Sequence, residues 1–114
     1  MATIYHNPRC SKSRQTLALL QENGVEPDII LYLANPPDSK TLLSLLEKLG
    51  MSPRALLRKG EEPYRSLGLD NEAITDDKLI DAMCQHPCLI ERPIVVHGNR
   101  AILGRPPEKV LELL

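Results

Sequence analysis

The stretch ATIYHNPRCSKSR, Ala2 to Arg14, changes character twice. Ala2 to His6 is short, β-rich and stopped by Asn7-Pro8, which predicts a strand running into a loop. From Ser11 the spacing turns helical, with Leu17, Leu19 and Leu20 ahead of Asn23-Gly24, a helix C-terminus. Ile29 to Leu33 (IILYL) is then a continuous apolar run, as expected of a strand buried on both faces. Strand, helix and buried strand make a βαβ unit, right-handed by default.

The rest of the chain extends this start. Asn35-Pro36-Pro37 breaks the pattern, and Ser39 is expected to cap a helix. Leu42, Leu43, Leu45, Leu46 and Leu49 lie on its inner side, and Gly50 stops it. That leucine stripe is core rather than a zipper, being under two heptads long. Ser52-Pro53 opens another short helix, and Pro63 to Gly68 one more turn. Thr75 caps a helix through Leu79, Ile80 and Met83 that His86-Pro87 ends. Two β runs follow, Pro93 to Val96 and Ala101 to Leu103, joined at His97-Gly98-Asn99 as a hairpin. Pro106-Pro107 opens a last helix with Val110, Leu111 and Leu114 as its stripe. A βαβ and a ββα sharing one sheet is the recipe of an α/β, thioredoxin-like fold. The expectation is a single domain, 1–114, with a helical insertion over about 36–87.

Composition narrows the function. The net charge of −1 provides no global field for nucleic acid or an anionic membrane, so any anion site must be local. No apolar run approaches the roughly 20 residues of a membrane span, and MATIYHNP lacks the pattern of a secretory signal. Three cysteines are too few for a disulfide framework, which points to a reducing, cytoplasmic setting. Cys84-Gln85-His86-Pro87-Cys88 looks like a metal cluster, but Pro87 breaks the helix within it and no fourth ligand is near. No metal and no bound cofactor are expected.

Cys10 carries the chemistry. It sits between the first strand and the N-terminus of the first helix, where open α/β sheets bind ligands. Free N–H groups there stabilise a thiolate and cradle an oxyanion. His6, Arg9, Lys12 and Arg14 are placed to add to that field. Cys10-x-x-Ser13 is not Cys-x-x-Cys, so no resolving cysteine sits beside the nucleophile, although Ser13 can donate a hydrogen bond to it. Arg58, Arg92 and Arg105 occupy the ends of structural elements. A doubly charged oxyanion wants several guanidinium forks. Arg92-Pro93 heads a strand where a thioredoxin-like fold places a cis proline, so a cis bond is expected there; only about 5% of such bonds are cis otherwise.

The stretches IYHNPRCSKSR, PPDSKTLLSLLEKLG, RALLRK, EPYRSLGL, TDDKLIDAMCQHP, RPIVV and GRP run from Ile4 to Pro106. Together they resemble the glutaredoxin-dependent bacterial arsenate reductases of the thioredoxin superfamily. The resemblance implies that Cys10 is the nucleophile and that His6 keeps it ionised. It implies that Arg58, Arg92 and Arg105 hold arsenate. It also implies glutathione as co-substrate and glutaredoxin as partner, in arsenic detoxification. Arg9 departs from the small residue that plasmid-borne members carry before the cysteine. Two alternatives stay open: a glutathione-linked thiol oxidoreductase with another substrate, and a non-enzymatic stress regulator that binds RNA polymerase. Such regulators typically keep a Cys-x-x-Cys switch, which Ser13 breaks.

Overall fold

The computed structural model describes residues 2–114. Its chain divides into two compact units. One is formed by the chain up to Asn35 together with Arg92–Leu114, the other by Pro36–Glu91.

In the first unit, β1 (Ala2–Tyr5) is a central strand of a four-stranded sheet. It pairs in parallel with β2 (Asp28–Ile30) and antiparallel with β3 (Ile94–His97), which pairs antiparallel with β4 (Arg100–Leu103). The order β2-β1-β3-β4 unites the βαβ and ββα halves in one sheet, as a thioredoxin-like fold requires. Helix α1 (Ser11–Glu22) connects β1 to β2 and lies against the C-terminal segment Pro107–Leu113. Ile4, Leu20, Val95, Val110 and Leu113 form the buried cluster beneath, with Leu17, Leu19, Val25 and Ile102 packed partly into it. With Phe and Trp absent from the chain, this core rests on branched aliphatics.

Three local expectations for this unit need correcting. Ile29 to Leu33 is not a strand buried on both faces: β2 has only three residues and lies at the sheet edge. Ile29, Leu31 and Leu33 are 49%, 43% and 45% exposed, so the run reads as central only because its side chains are apolar. The last segment is a 3-10 helix rather than an α-helix. A repeat of three residues per turn brings Pro107, Val110 and Leu113 to one buried face and leaves Leu111 and Leu114 exposed. The hairpin turn is Gly98-Asn99 alone, since His97 and Arg100 still pair. Gly98 takes φ +64 at the first turn position, the glycine requirement of a type II′ turn. The Arg92-Pro93 bond is cis as expected, and Arg105-Pro106 is cis as well.

The second unit holds α2 (Ser39–Leu49), α3 (Pro53–Leu56), α4 (Glu62–Ser66) and α5 (Asp76–Gln85), then a 3-10 turn at Pro87–Leu89. The cap of α2 is Asp38, not Ser39: its carboxylate accepts from the Thr41 N–H at 2.8 Å. Ser52 and Thr75 cap α3 and α5 as their spacing suggests. Helix α5 meets α2, α3 and the 87–89 turn, and Leu79, Ile80 and Met83 are buried. Leu42, Leu45 and Leu46 form the buried side of α2, whereas Leu43 is exposed. Among the described residues, no helix is long and apolar enough to cross a membrane.

Leu20 has no exposed surface and sits at the centre of the first unit's cluster. Leu20→Ala is expected to lower the unfolding free energy by about 2–5 kcal/mol, read as a lower urea midpoint at unchanged slope.

Candidate active site

The loop after β1 is knotted by its own polar groups. His6 N–H donates to the Ile30 carbonyl at 2.8 Å, carrying the parallel ladder one residue past β1. Asn7 then does three jobs. Its carbonyl accepts from the Cys10 N–H at 3.0 Å, its Oδ1 accepts from the Arg9 N–H at 3.0 Å, and its own N–H donates to Ser13 Oγ at 3.0 Å. An asparagine side chain that accepts from the backbone two residues on closes the loop that Asn7-Pro8 opens. Arg14 braces the outside, with Nη1 donating to the Pro8 carbonyl at 2.8 Å.

This knot delivers Cys10 as the N-cap residue of α1, in extended conformation and partly exposed. Burial alone would raise the thiol pKa. The opposing influences of the Ser13 N–H, the Arg92 guanidinium and the Lys12 N–H prevail and bring it below the ordinary thiol value. The Ser13 and Lys12 N–H groups lie at the open N-terminus of α1, where backbone N–H groups favour negative charge. Arg92 acts by hydrogen bond and by charge. The net result is a cysteine biased toward thiolate, the form that attacks electrophiles.

The cations next to Cys10 in sequence are not the ones that act on it. Arg9, Lys12 and Arg14 have exposed side chains, and none contributes through its side chain to the lowered pKa. Lys12 contributes through its backbone, and Arg14 is spent on the loop. His6 also differs from its expected part. It is buried, with Nδ1 2.6 Å from Ser13 Oγ, and burial and then the Arg14 charge lower its pKa below 6.5. It is therefore a neutral imidazole at neutral pH and adds no positive charge to the field. Ser13 is fully buried, and its hydroxyl serves His6 and the Asn7 N–H; what it offers Cys10 is its backbone N–H.

Arg92 precedes β3, and Arg105 follows β4. Arg105 Nη1 donates to the Arg92 carbonyl at 3.1 Å, and the Gly104 N–H donates to the Pro93 carbonyl at 3.0 Å. The first unit thus brings together Cys10, His6, Ser13, Arg92 and Arg105. Arg58 belongs to the second unit. There its Nη1 lies 2.9 Å from Glu91 Oε1, and its Nε lies 3.6 Å from Glu61 Oε2. Sequence reasoning missed both carboxylates, because acidic residues carry no motif that marks them as partners of a distant arginine.

Cys84, at the end of α5, shows the contrast with Cys10. Burial, then Asp81 and Asp38, raise its pKa, so it stays a thiol.

A profile of the ArsC family matches residues 5–113. The chain belongs to the ArsC family. A relative from Escherichia coli (strain K12), Uncharacterized protein YfgD, is 55% identical over 97% of this chain and 94% of its own length. A protein named Arsenate reductase from Escherichia coli is also 55% identical, over 98% of this chain and 79% of its own length. The solved structure of an arsenate reductase from Vibrio cholerae superposes with a TM-score of 0.97 at 51% identity, covering 99% of this chain and 97% of that one.

Two pH effects follow. The fold favours the Cys10 thiolate, so this contribution to stability is complete above the ordinary thiol pKa and is lost as pH falls through the lower, folded-state value. For His6 the unfolded chain takes up a proton first, so stability declines as pH falls below about 6.5 and levels off beneath the folded pKa. Alkylation of Cys10 by iodoacetamide is expected to show its inflection below that of a free thiol. Arg92→Gln is expected to move the inflection upward, while Arg14→Gln leaves it near the native position. An Arg14→Gln shift as large as that of Arg92→Gln would contradict the assignment.

Proposed function

We propose that this protein is an arsenate reductase that uses glutathione and glutaredoxin as external reductants. One observation carries the reading: a cysteine favoured as thiolate at the start of α1, with the Arg92 guanidinium on its sulfur, in an ArsC-family chain. The relatives named arsenate reductase support the substrate.

A thiolate approaching a doubly charged oxyanion meets repulsion, which positive groups at the reacting centre must offset. Arg92 lies on the sulfur, and Arg105 is tied to the Arg92 backbone. Arg58 enters this reading only through the family resemblance. Cys10 sulfur attacks arsenic(V), an As–S bond forms, and one oxygen leaves as water after protonation. A glutathione thiol displaces a second oxygen, again as water, to give an arsenic bearing both sulfurs. A glutaredoxin thiolate then attacks the glutathione sulfur. The new S–S bond forms as the As–S(glutathione) bond breaks, and that bond's electron pair stays on arsenic, which becomes arsenic(III). Hydrolysis releases arsenite and returns the Cys10 thiolate. With Ser13 at the fourth position of the Cys-x-x-Ser pattern, where a resolving cysteine would stand, the second sulfur comes from outside the active-site motif. A cytoplasmic location suits a reaction fed by glutathione.

Glutathione-linked reduction of another substrate would use the same thiolate. The pairing of Arg58 with two carboxylates favours that second reading, because it lowers the charge available to a dianion.

The deciding assay couples arsenate-dependent NADPH oxidation to glutathione reductase, with glutathione and glutaredoxin present. Native protein is expected to turn over, Cys10→Ser to fall to background, and omission of glutaredoxin to slow the native rate. No native turnover at millimolar arsenate would sink the reading. Turnover with arsenate replaced by a mixed disulfide alone would favour the second one.

A further inference from the structure

The surroundings of Arg58 are organised by the backbone. Leu57 and Ile90 face each other in an isolated antiparallel bridge. The Arg58 N–H donates to the Leu89 carbonyl at 2.8 Å, and the Glu91 N–H donates to the Leu56 carbonyl at 3.0 Å. Leu56, Leu57, Leu89 and Ile90 are buried, so the cross-tie is anchored on both sides. Arg58 and Glu91 emerge from this tie and meet at 2.9 Å, with side chains 21% and 26% exposed. Surface ion pairs are usually weak because two long side chains must be ordered and water screens them. Here the backbone has already brought the two stems together, and the pair is partly shielded. Glu61 adds a second carboxylate 3.6 Å from Arg58 Nε, an attraction of charge without a hydrogen bond.

We propose that Glu91, backed by Glu61, is a specificity-determining residue that competes with an incoming oxyanion for the Arg58 guanidinium. The inference rests on the reading of Arg58 as an oxyanion ligand. A guanidinium fork recognises a carboxylate and a tetrahedral oxyanion with the same N–H groups. An anion that takes Arg58 must displace Glu91 or share the fork with it. Two carboxylates beside one cation also oppose a dianion more strongly than a monoanion. The pair therefore acts as a standing competitor that sets which anions Arg58 accepts.

Equilibrium binding tests this directly. Arsenate is titrated calorimetrically into Cys10→Ser protein, which cannot turn it over, with and without Glu91→Gln. Glutamine keeps the shape and an oxygen acceptor for Arg58 Nη1 while removing the charge. Binding is expected to tighten roughly three- to tenfold, the equivalent of a partly screened ion pair. Glu61→Gln is expected to give a smaller gain in the same direction, and it decides the matter should Glu91→Gln fold poorly. In an Arg58→Ala background the Glu91→Gln gain is expected to vanish. Unchanged, weaker or undetectable arsenate binding in the glutamine variants, or a gain that survives without Arg58, would overturn the inference. Native turnover with unaltered binding in Glu91→Gln sinks this inference and spares the reductase reading. Tighter binding without native turnover does the reverse.

Discussion

The antiparallel register of β1 on β3 is the constraint on which the first unit's chemistry depends. Tyr5 pairs with Ile94, so the chain leaving β1 and the chain entering β3 are at the same end of the sheet. The first leads through His6 to Cys10, and the second comes from Arg92. Pairing of Ile94 with Leu103 brings a third segment, Gly104-Arg105, to the same end. A shift of one residue in either register would turn every inward side chain outward and separate the thiolate from its guanidinium. The burial of Ile4, Val95 and Val110 in one cluster resists such a shift. Core packing and thiol acidity are in this sense one property.

That arrangement explains why the nearest cations in sequence are not the effective ones. Arg9 and Lys12, one and two residues from Cys10, have exposed side chains, and Arg14, four residues on, is engaged with the Pro8 carbonyl. The guanidinium that acts on the sulfur comes from Arg92, brought beside it by the neighbouring strand. The helix itself supplies the remaining stabilisation through N–H groups that any sequence would carry at those positions.

The parts of the fold legible in the sequence were those governed by local chemistry. Asn-Pro ended β1, Asn23-Gly24 ended α1, Ser52 and Thr75 capped their helices, and the hairpin lay where glycine allowed a tight turn. What escaped was set by tertiary context. An apolar run such as IILYL has no local mark of whether one neighbouring strand or two will cover it. The change from α to 3-10 in Pro107–Leu113 moves the buried position from Leu114 to Leu113, a difference of one residue that composition cannot resolve. In the candidate site, Cys10 and Arg92 could be named because residue type and position both pointed to them. The neutral state of His6 and the engagement of Ser13 Oγ could not, since both follow from burial.

Arg58 and Arg105 illustrate how the same side chain acquires different electrostatic meaning from its partner. Arg105 Nη1 donates to a neutral carbonyl, a contact that fixes its position without neutralising its charge. Arg58 meets two carboxylates, contacts that fix its position and compensate its charge together. On the proposed reading, a dianion approaching Arg58 gains only by exchange for a carboxylate. Counting arginines in the sequence therefore overstates the positive potential of a site. What matters is whether each guanidinium is braced by a dipole or already matched by a charge.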